Sequence, residues 1–276
     1  MTSFESAIAL TPAPSAADGK PSGWRVPDGW QQGRGAWGGL AIGAMIIAVE
    51  QAETGQSSGG PDRTVRSVSM QLCGPAVIGL SQVTVEPVRI GTGMSTWSVR
   101  VTDPQSSVIA TGTVITGVPR GSSDAPSSTP WSPLEAPAAP RPDDVPTVPT
   151  PAPFPPFTQH FDYRVASGFP LQGSPAETLG WIGYRDSPTW SAASLIALAD
   201  AWYTATLVHL RELTSISTVE FTASLLIDPA DLDPGTPLLH HGVVSSFREG
   251  YASEQRRLWT PDGRLAVDNL QSMVVG

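Results

Sequence analysis

The chain has one cysteine, Cys73, in 276 residues. No intrachain disulfide can form, and such cysteine usage fits a reducing, cytoplasmic setting. Cys73 precedes Gly-Pro at the end of a strand pattern and reads as a small packing residue. Positive charge is scarce: 16 Lys and Arg face 25 Asp and Glu, for a net charge of −9. That argues against nucleic acid as a partner, because phosphate binding needs a basic surface. A small anionic ligand needs only a local cluster. The adjacent basic pair, Arg256 and Arg257, would point to opposite faces of a strand and reads as solvated surface. No apolar run reaches the ~18 residues of a membrane span. Met1 to Ala17 carries Glu5 and no basic start, so it does not read as a signal peptide. The four histidines show no zinc spacing: His160 and His209 are isolated, and His240 and His241 alternate on a strand. There is no Gly-x-Ser-x-Gly elbow and no phosphate-binding glycine motif. Neither a metal nor a cofactor is expected.

Hydrophobic residues make up 40% of the chain, enough for a real core. Two stretches, 37–118 and 190–276, repeat one plan: an apolar helix and then four β-stretches. The helices open on Trp37-Gly38-Gly39-Leu40 and Trp190-Ser191-Ala192-Ala193. The first helix, about 38–53, is apolar on nearly every side, as a buried helix is. The second, about 191–213, reads the same way. The strands alternate instead. Trp97, Val99 and Val101 point one way, as do Val68, Met70 and Leu72, and Val219, Phe221, Ala223 and Leu225. Period-2 alternation with turn signals such as Pro261-Asp262-Gly263 marks antiparallel sheets buried on one face. Between the copies, 119–156 holds 13 of the 28 prolines. Such a segment builds neither ladder nor long helix, and its middle is as compatible with disorder as with a surface crossing. The expected class is α+β, a double hotdog: residues 1–118 form the first unit, 119–157 the Pro-rich linker and 158–276 the second. A homo-oligomer is compatible with this reading.

The copies differ where chemistry would sit. Their last hairpins align Arg100 with Arg257, Pro104 with Pro261 and Val108 with Leu265. On that register Val114 matches Gln271. Aligning the tryptophans puts Ile47 opposite Asp200. One copy is apolar at both places; the other has a carboxylate and an amide. This points to one site per chain.

The sequence resembles the double-hotdog acyl-CoA thioesterases of type II. The likeness rests on Trp37-Gly38-Gly39, Trp181-Ile182-Gly183-Tyr184-Arg185, Leu198-Ala199-Asp200-Ala201, Ser217-Thr218-Val219-Glu220-Phe221-Thr222, and Asp262-Gly263-Arg264-Leu265-Ala266 through Gln271. It spans about 37–118 and 178–276. In that family an Asp, a Thr and a Gln of the second copy hold the attacking water; the matching positions are Asp200, Thr218 and Gln271. Many members carry Gln after the paired glycines, where this chain has Leu40. The resemblance implies an acyl-CoA or acyl-carrier thioester as substrate.

The residues can be weighed without the family. A carboxylate buried in a helix must be hydrogen-bonded or raise its pKa, and either suits a general base sharing a water with an amide. Gln271 shares a strand face with Val267, Met273 and Val275, so it looks inward and needs a partner. Thr218 has the outward parity of Glu220 and Thr222 unless it faces the other copy or sits on a bulge. Gly38 and Gly39 can present helix N-terminal amides to a carbonyl oxygen, or can be there because the packing is tight. On a continuous helix Tyr203 and Thr204 lie on the Asp200 side and Trp202 does not. Tyr203 is therefore expected to bound the acyl pocket, and Trp202 to pack into the sheet. A hotdog hydratase or dehydratase would recruit a His beside the acid, and His209 is too far along. A non-catalytic acyl-binding protein gains nothing from a buried carboxylate.

Overall fold

The computed structural model describes residues 2–11, 21–56, 63–120, 134–151, 154–186 and 189–276. The middle of the Pro-rich segment lies outside them. The first half begins with a short helix α1 (Phe4–Ala7), strands β1 (Leu10–Thr11) and β2 (Ser22–Val26), and a small hairpin of β3 (Gln31–Gln32) and β4 (Gly35–Ala36). The long helix α2 (Gly38–Gln56) follows, then β5 (Thr64–Leu72), β6 (Gly79–Ile90), β7 (Met94–Thr102) and β8 (Val108–Gly117). The second half opens with β9 (Phe161–Ser167) and β10 (Glu177–Tyr184) and continues with α3 (Ala192–Leu198) and α4 (Thr206–His209). It ends with β11 (Ile216–Leu225), β12 (Leu238–Arg248), β13 (Tyr251–Trp259) and β14 (Leu265–Val275).

All strands except β3 and β4 join one 12-stranded sheet in the order β1-β2-β6-β7-β8-β5-β11-β14-β13-β12-β10-β9. The halves meet at β5 and β11, which pair antiparallel with Phe221 opposite Met70 and Ala223 opposite Val68. Of the expected apolar faces, Val68, Met70, Trp97, Val99, Val101, Phe221, Ala223 and Leu225 are buried in one core with α2 and α3, whereas Leu72, at the end of β5, and Val219, at the bulge of β11, are only partly buried. Period-2 strands buried on one face hide both helices against that face. The two helices also touch each other, but each lies on sheet as well, so they do not form a bundle. This is the double hotdog.

The repeat holds at the level of register. Trp97 pairs with Val114 in β7–β8, and Glu254 pairs with Gln271 in β13–β14. Each half has a bulge one strand away, between Val65 and Ser67 in β5 and between Thr218 and Glu220 in β11. Val65, Trp97, Val99 and Val114 thus stand where the second half has Thr218, Glu254, Arg256 and Gln271.

Three expectations need correction. Cys73 is exposed, because β5 has already ended; its amide is tied to Ile109 O and its thiol to Gln71 O. Arg256 is buried to 2% exposure, since the parity that sends Arg257 outward sends Arg256 in with Leu258. The second helix is not continuous from 191 to 213. Ser191 starts it with a reciprocal capping box to Ser194, but α3 ends at Leu198. The next amides, of Ala199, Asp200 and Ala201, bond three residues back, and helix resumes only at Thr206.

The late part of the Pro-rich segment packs on the second half. Trp181 donates to Pro140 O at 2.9 Å, and Arg164 donates to both Pro142 O and Val145 O at 2.9 Å. Among the described residues no helix is long and apolar enough to cross a membrane.

Candidate active site

The break after α3 is held open by side chains from elsewhere. A helix end leaves carbonyls without amide partners. Here the carbonyls of the turn itself, 199 to 202, find side-chain donors: Arg256 Nη1 donates to Ala199 O and Trp202 O, both at 3.2 Å. Trp37 Nε1 donates to Asp200 O at 3.0 Å, and Tyr163 OH to Ala201 O at 2.8 Å. Asp200 therefore sits on a turn just past a helix, not within one.

That turn aims the carboxylate at the start of α2. Gly39 N–H donates to Asp200 Oδ2 at 2.9 Å. Of the two readings of the paired glycines, close packing is what the geometry shows, and the Gly39 amide is taken by Asp200. A Cβ on Gly38 would lie 2.8 Å from Asp200 Oδ2, and one on Gly39 would strike the Trp37 ring at 2.1 Å. Gly38 thus lets the helix start approach the carboxylate, and Gly39 leaves room for the Trp37 ring.

Gln271, fully buried on β14, looks inward as expected. Thr218 Oγ1 donates to Gln271 Oε1 at 2.9 Å, and Gln271 Nε2 donates to Asn269 Oδ1 at 3.0 Å. Asn269 in turn donates to Thr222 O at 2.9 Å. The bulge at Val219 is what turns Thr218 inward; on a regular strand it would share the face of Glu220. Asp200 thus meets Gly38, Gly39 and Gln271, and Thr218 joins them through Gln271.

Burial raises the Asp200 pKa from 3.8 to about 6, against the lowering effects of Arg256, the Gly39 amide and Gln271; Glu254 pushes it further up. The contrast with the first half is chemical. Glu53 is also buried, but hydrogen bonds from Thr116, Trp97 and Arg63 outweigh its desolvation and lower its pKa. Desolvation lifts half-buried Glu50 to about 7, but the position matching Gln271 there is Val114.

Tyr203 is half-buried, and its hydroxyl donates to Gly168 O at 2.8 Å. The helical argument that placed it and Thr204 beside Asp200 fails with the helix: Thr204 instead bonds Glu254. Trp202 does pack on the sheet, stacked on His240 at 4.7 Å between centroids and against Gly180. Sequence reasoning missed Glu254, Arg256 and Asn269. The available signal was parity, since all three alternate in phase with buried apolar neighbours. Among the described residues no three His, Cys, Asp or Glu side chains cluster as a metal site would require.

The model of the acyl-CoA thioesterase N-terminal domain matches residues 26–117, and that of the C-terminal domain matches 137–275. The chain belongs to the acyl-CoA thioesterase family. Its fold is shared with solved thioesterases over the whole length. A putative thioesterase II from Thermobifida fusca superposes at TM-score 0.78 with 20% identity, covering 100% of this chain and 98% of that one. An acyl-CoA thioesterase II from Mycobacterium marinum gives 0.76 with 17% identity, covering 99% and 98%. A hotdog-fold protein of unknown function from Alicyclobacillus acidocaldarius gives 0.84 at 25% identity, covering 99% and 97%. A search of the curated proteins finds no match.

Proposed function

We propose that this thioesterase-family protein hydrolyses the thioester of a fatty or related acyl-CoA, with Asp200 as general base. The observation that carries the reading is the buried Asp200 carboxylate lying beside Gln271 and the start of α2, with Thr218 bonded to Gln271. Gln271 and Thr218 hold a water against Asp200. The carboxylate takes its proton as the water oxygen attacks the thioester carbonyl. The α2 N-terminus stabilises the oxyanion, with the amide of Gly38 as donor, since it bonds to no described residue. The intermediate collapses, the C–S bond breaks, and the thiolate leaves with the proton Asp200 had taken. A base of pKa about 6 is mostly ionised at neutral pH yet still basic enough to accept that proton. A carrier-protein thioester would present the same reacting bond.

Release of free thiol from acyl-CoAs of graded chain length tests this, with hydration of an enoyl-CoA followed in parallel. Thiol release without hydration is the expected outcome. Hydration without release would make the protein a hydratase, and tight binding with neither reaction an acyl-binding protein. Thr218 is the lesser partner, because Asn269 still orients Gln271 without it. Thr218→Ala should lower kcat by about tenfold or less, the worth of one hydrogen bond. Steady-state kinetics at pH 8 would show it.

A further inference from the structure

Two buried charges next to the site have no part in that chemistry. Glu254 is fully buried and Arg256 nearly so, both on β13. Arg256 Nε donates to Glu254 Oε1 at 2.7 Å. Glu254 Oε2 accepts the Thr204 hydroxyl and, at 3.1 Å, the Ala205 amide. Arg256 Nη1 bridges the carbonyls of Ala199 and Trp202 and lies 4.0 Å from Asp200 Oδ1. Between them the two side chains grip the turn on both flanks of Asp200.

We propose that Glu254 and Arg256 are positioning residues: they keep the chain unwound from 199 to 205 and so hold the Asp200 carboxylate where Gly39 and Gln271 meet it. This rests on the reading of Asp200 as general base. Stability alone is a poor reason for such a pair, because burying two charges costs about what their attraction returns, and apolar residues often do as well. The first half does use apolar residues: Trp97 and Val99 stand in the matching places, and α2 runs unbroken from Gly38 to Gln56. The charged pair goes with the broken helix, and the broken helix carries the site.

The pair also brackets Asp200 electrically. The groups facing the carboxylate are Arg256 and Glu254 from β13, Tyr163 from β9, the Gly39 amide from α2 and Gln271 from β14. Arg256 favours the charged carboxylate and Glu254 opposes it.

The test is the pH dependence of kcat for thiol release in Glu254→Gln, Arg256→Gln and Arg256→Lys, with thermal melts on each. Glu254→Gln should move the acid limb down and Arg256→Gln should move it up, each by about half a unit or more. Arg256→Lys keeps the charge but loses the two-carbonyl bridge; its kcat should fall about tenfold or more with the limb in place. Arg256→Lys and Glu254→Gln decide the matter should Arg256→Gln not fold. Folded variants with the parent limb and kcat, or limbs that move together, would overturn the proposal. Asp200→Asn serves as the control: if it retains activity, the general-base reading fails, whereas its inactivity beside unaltered Glu254 and Arg256 variants sinks only the positioning role.

Discussion

Asp200→Asn is expected to lower kcat for thioester hydrolysis by roughly two to four orders of magnitude, the range for losing a general base. It is also expected to leave the melting temperature at pH 7 unchanged or higher. The second half separates this account from a structural Asp. The folded state raises this carboxyl's pKa, so it favours the protonated form. Any stability the group gives is present below its ordinary pKa of 3.8 and is lost as pH rises through about 6. At pH 7 the ionised carboxylate therefore works against folding, by on the order of 3 kcal/mol. Asn keeps an acceptor for Gly39 N–H and removes that penalty. Thermal melts together with kinetics check both parts: a melting temperature several degrees lower would make Asp200 a structural residue.

Trp202→Ala should destabilise the protein by about 3–5 kcal/mol, the cost of deleting a buried aromatic. Trp202 is 2% exposed, stacks on His240, meets Tyr163 edge-on and fills the space over Gly180. Tyr203 is half-buried, with its ring against Trp202 and its hydroxyl bonded to Gly168. Tyr203→Ala should cost less stability than Trp202→Ala, because less of its surface is hidden from water. Denaturant melts of the two variants decide it. A loss for Tyr203→Ala as large as that for Trp202→Ala would contradict this assignment.

The fold was legible because its signals are periodic and doubled. Alternation in β5, β7, β11 and β14 marks one-sided sheets, and an all-apolar helix in each half leaves few ways to bury both. The edge pairs, β1 with β2 and β9 with β10, fall outside that plan of a helix and four strands; β1 is too short for a pattern, and 181–184, in β10, reads as a strand only through the family likeness. Asp200 and Gln271 stood out as polar residues on apolar faces. The break at Asp200 did not. Ala199 to Leu213 is good helix-forming sequence, and propensity is a weak prior that tertiary bonds override. Here the overriding bonds come from Trp37, Tyr163 and Arg256, all distant in sequence. The bulge that turns Thr218 inward leaves no composition mark, although the repeat of that bulge in β5 shows it belongs to the scaffold. Arg256 was misread because adjacent arginines suggest surface; the phase it shares with Leu258 carried the correct answer.

The most direct measurement for a buried carboxylate acting as base is kcat for acyl-CoA hydrolysis between pH 4.5 and 8. The account predicts a plateau at neutral pH and a single acid limb near the Asp200 value of about 6. Activity at pH 5 should then be about a tenth of the plateau. A rate that stays flat down to pH 4.5 in folded protein would contradict it, because no base of that pKa would then take part in the step that sets the rate.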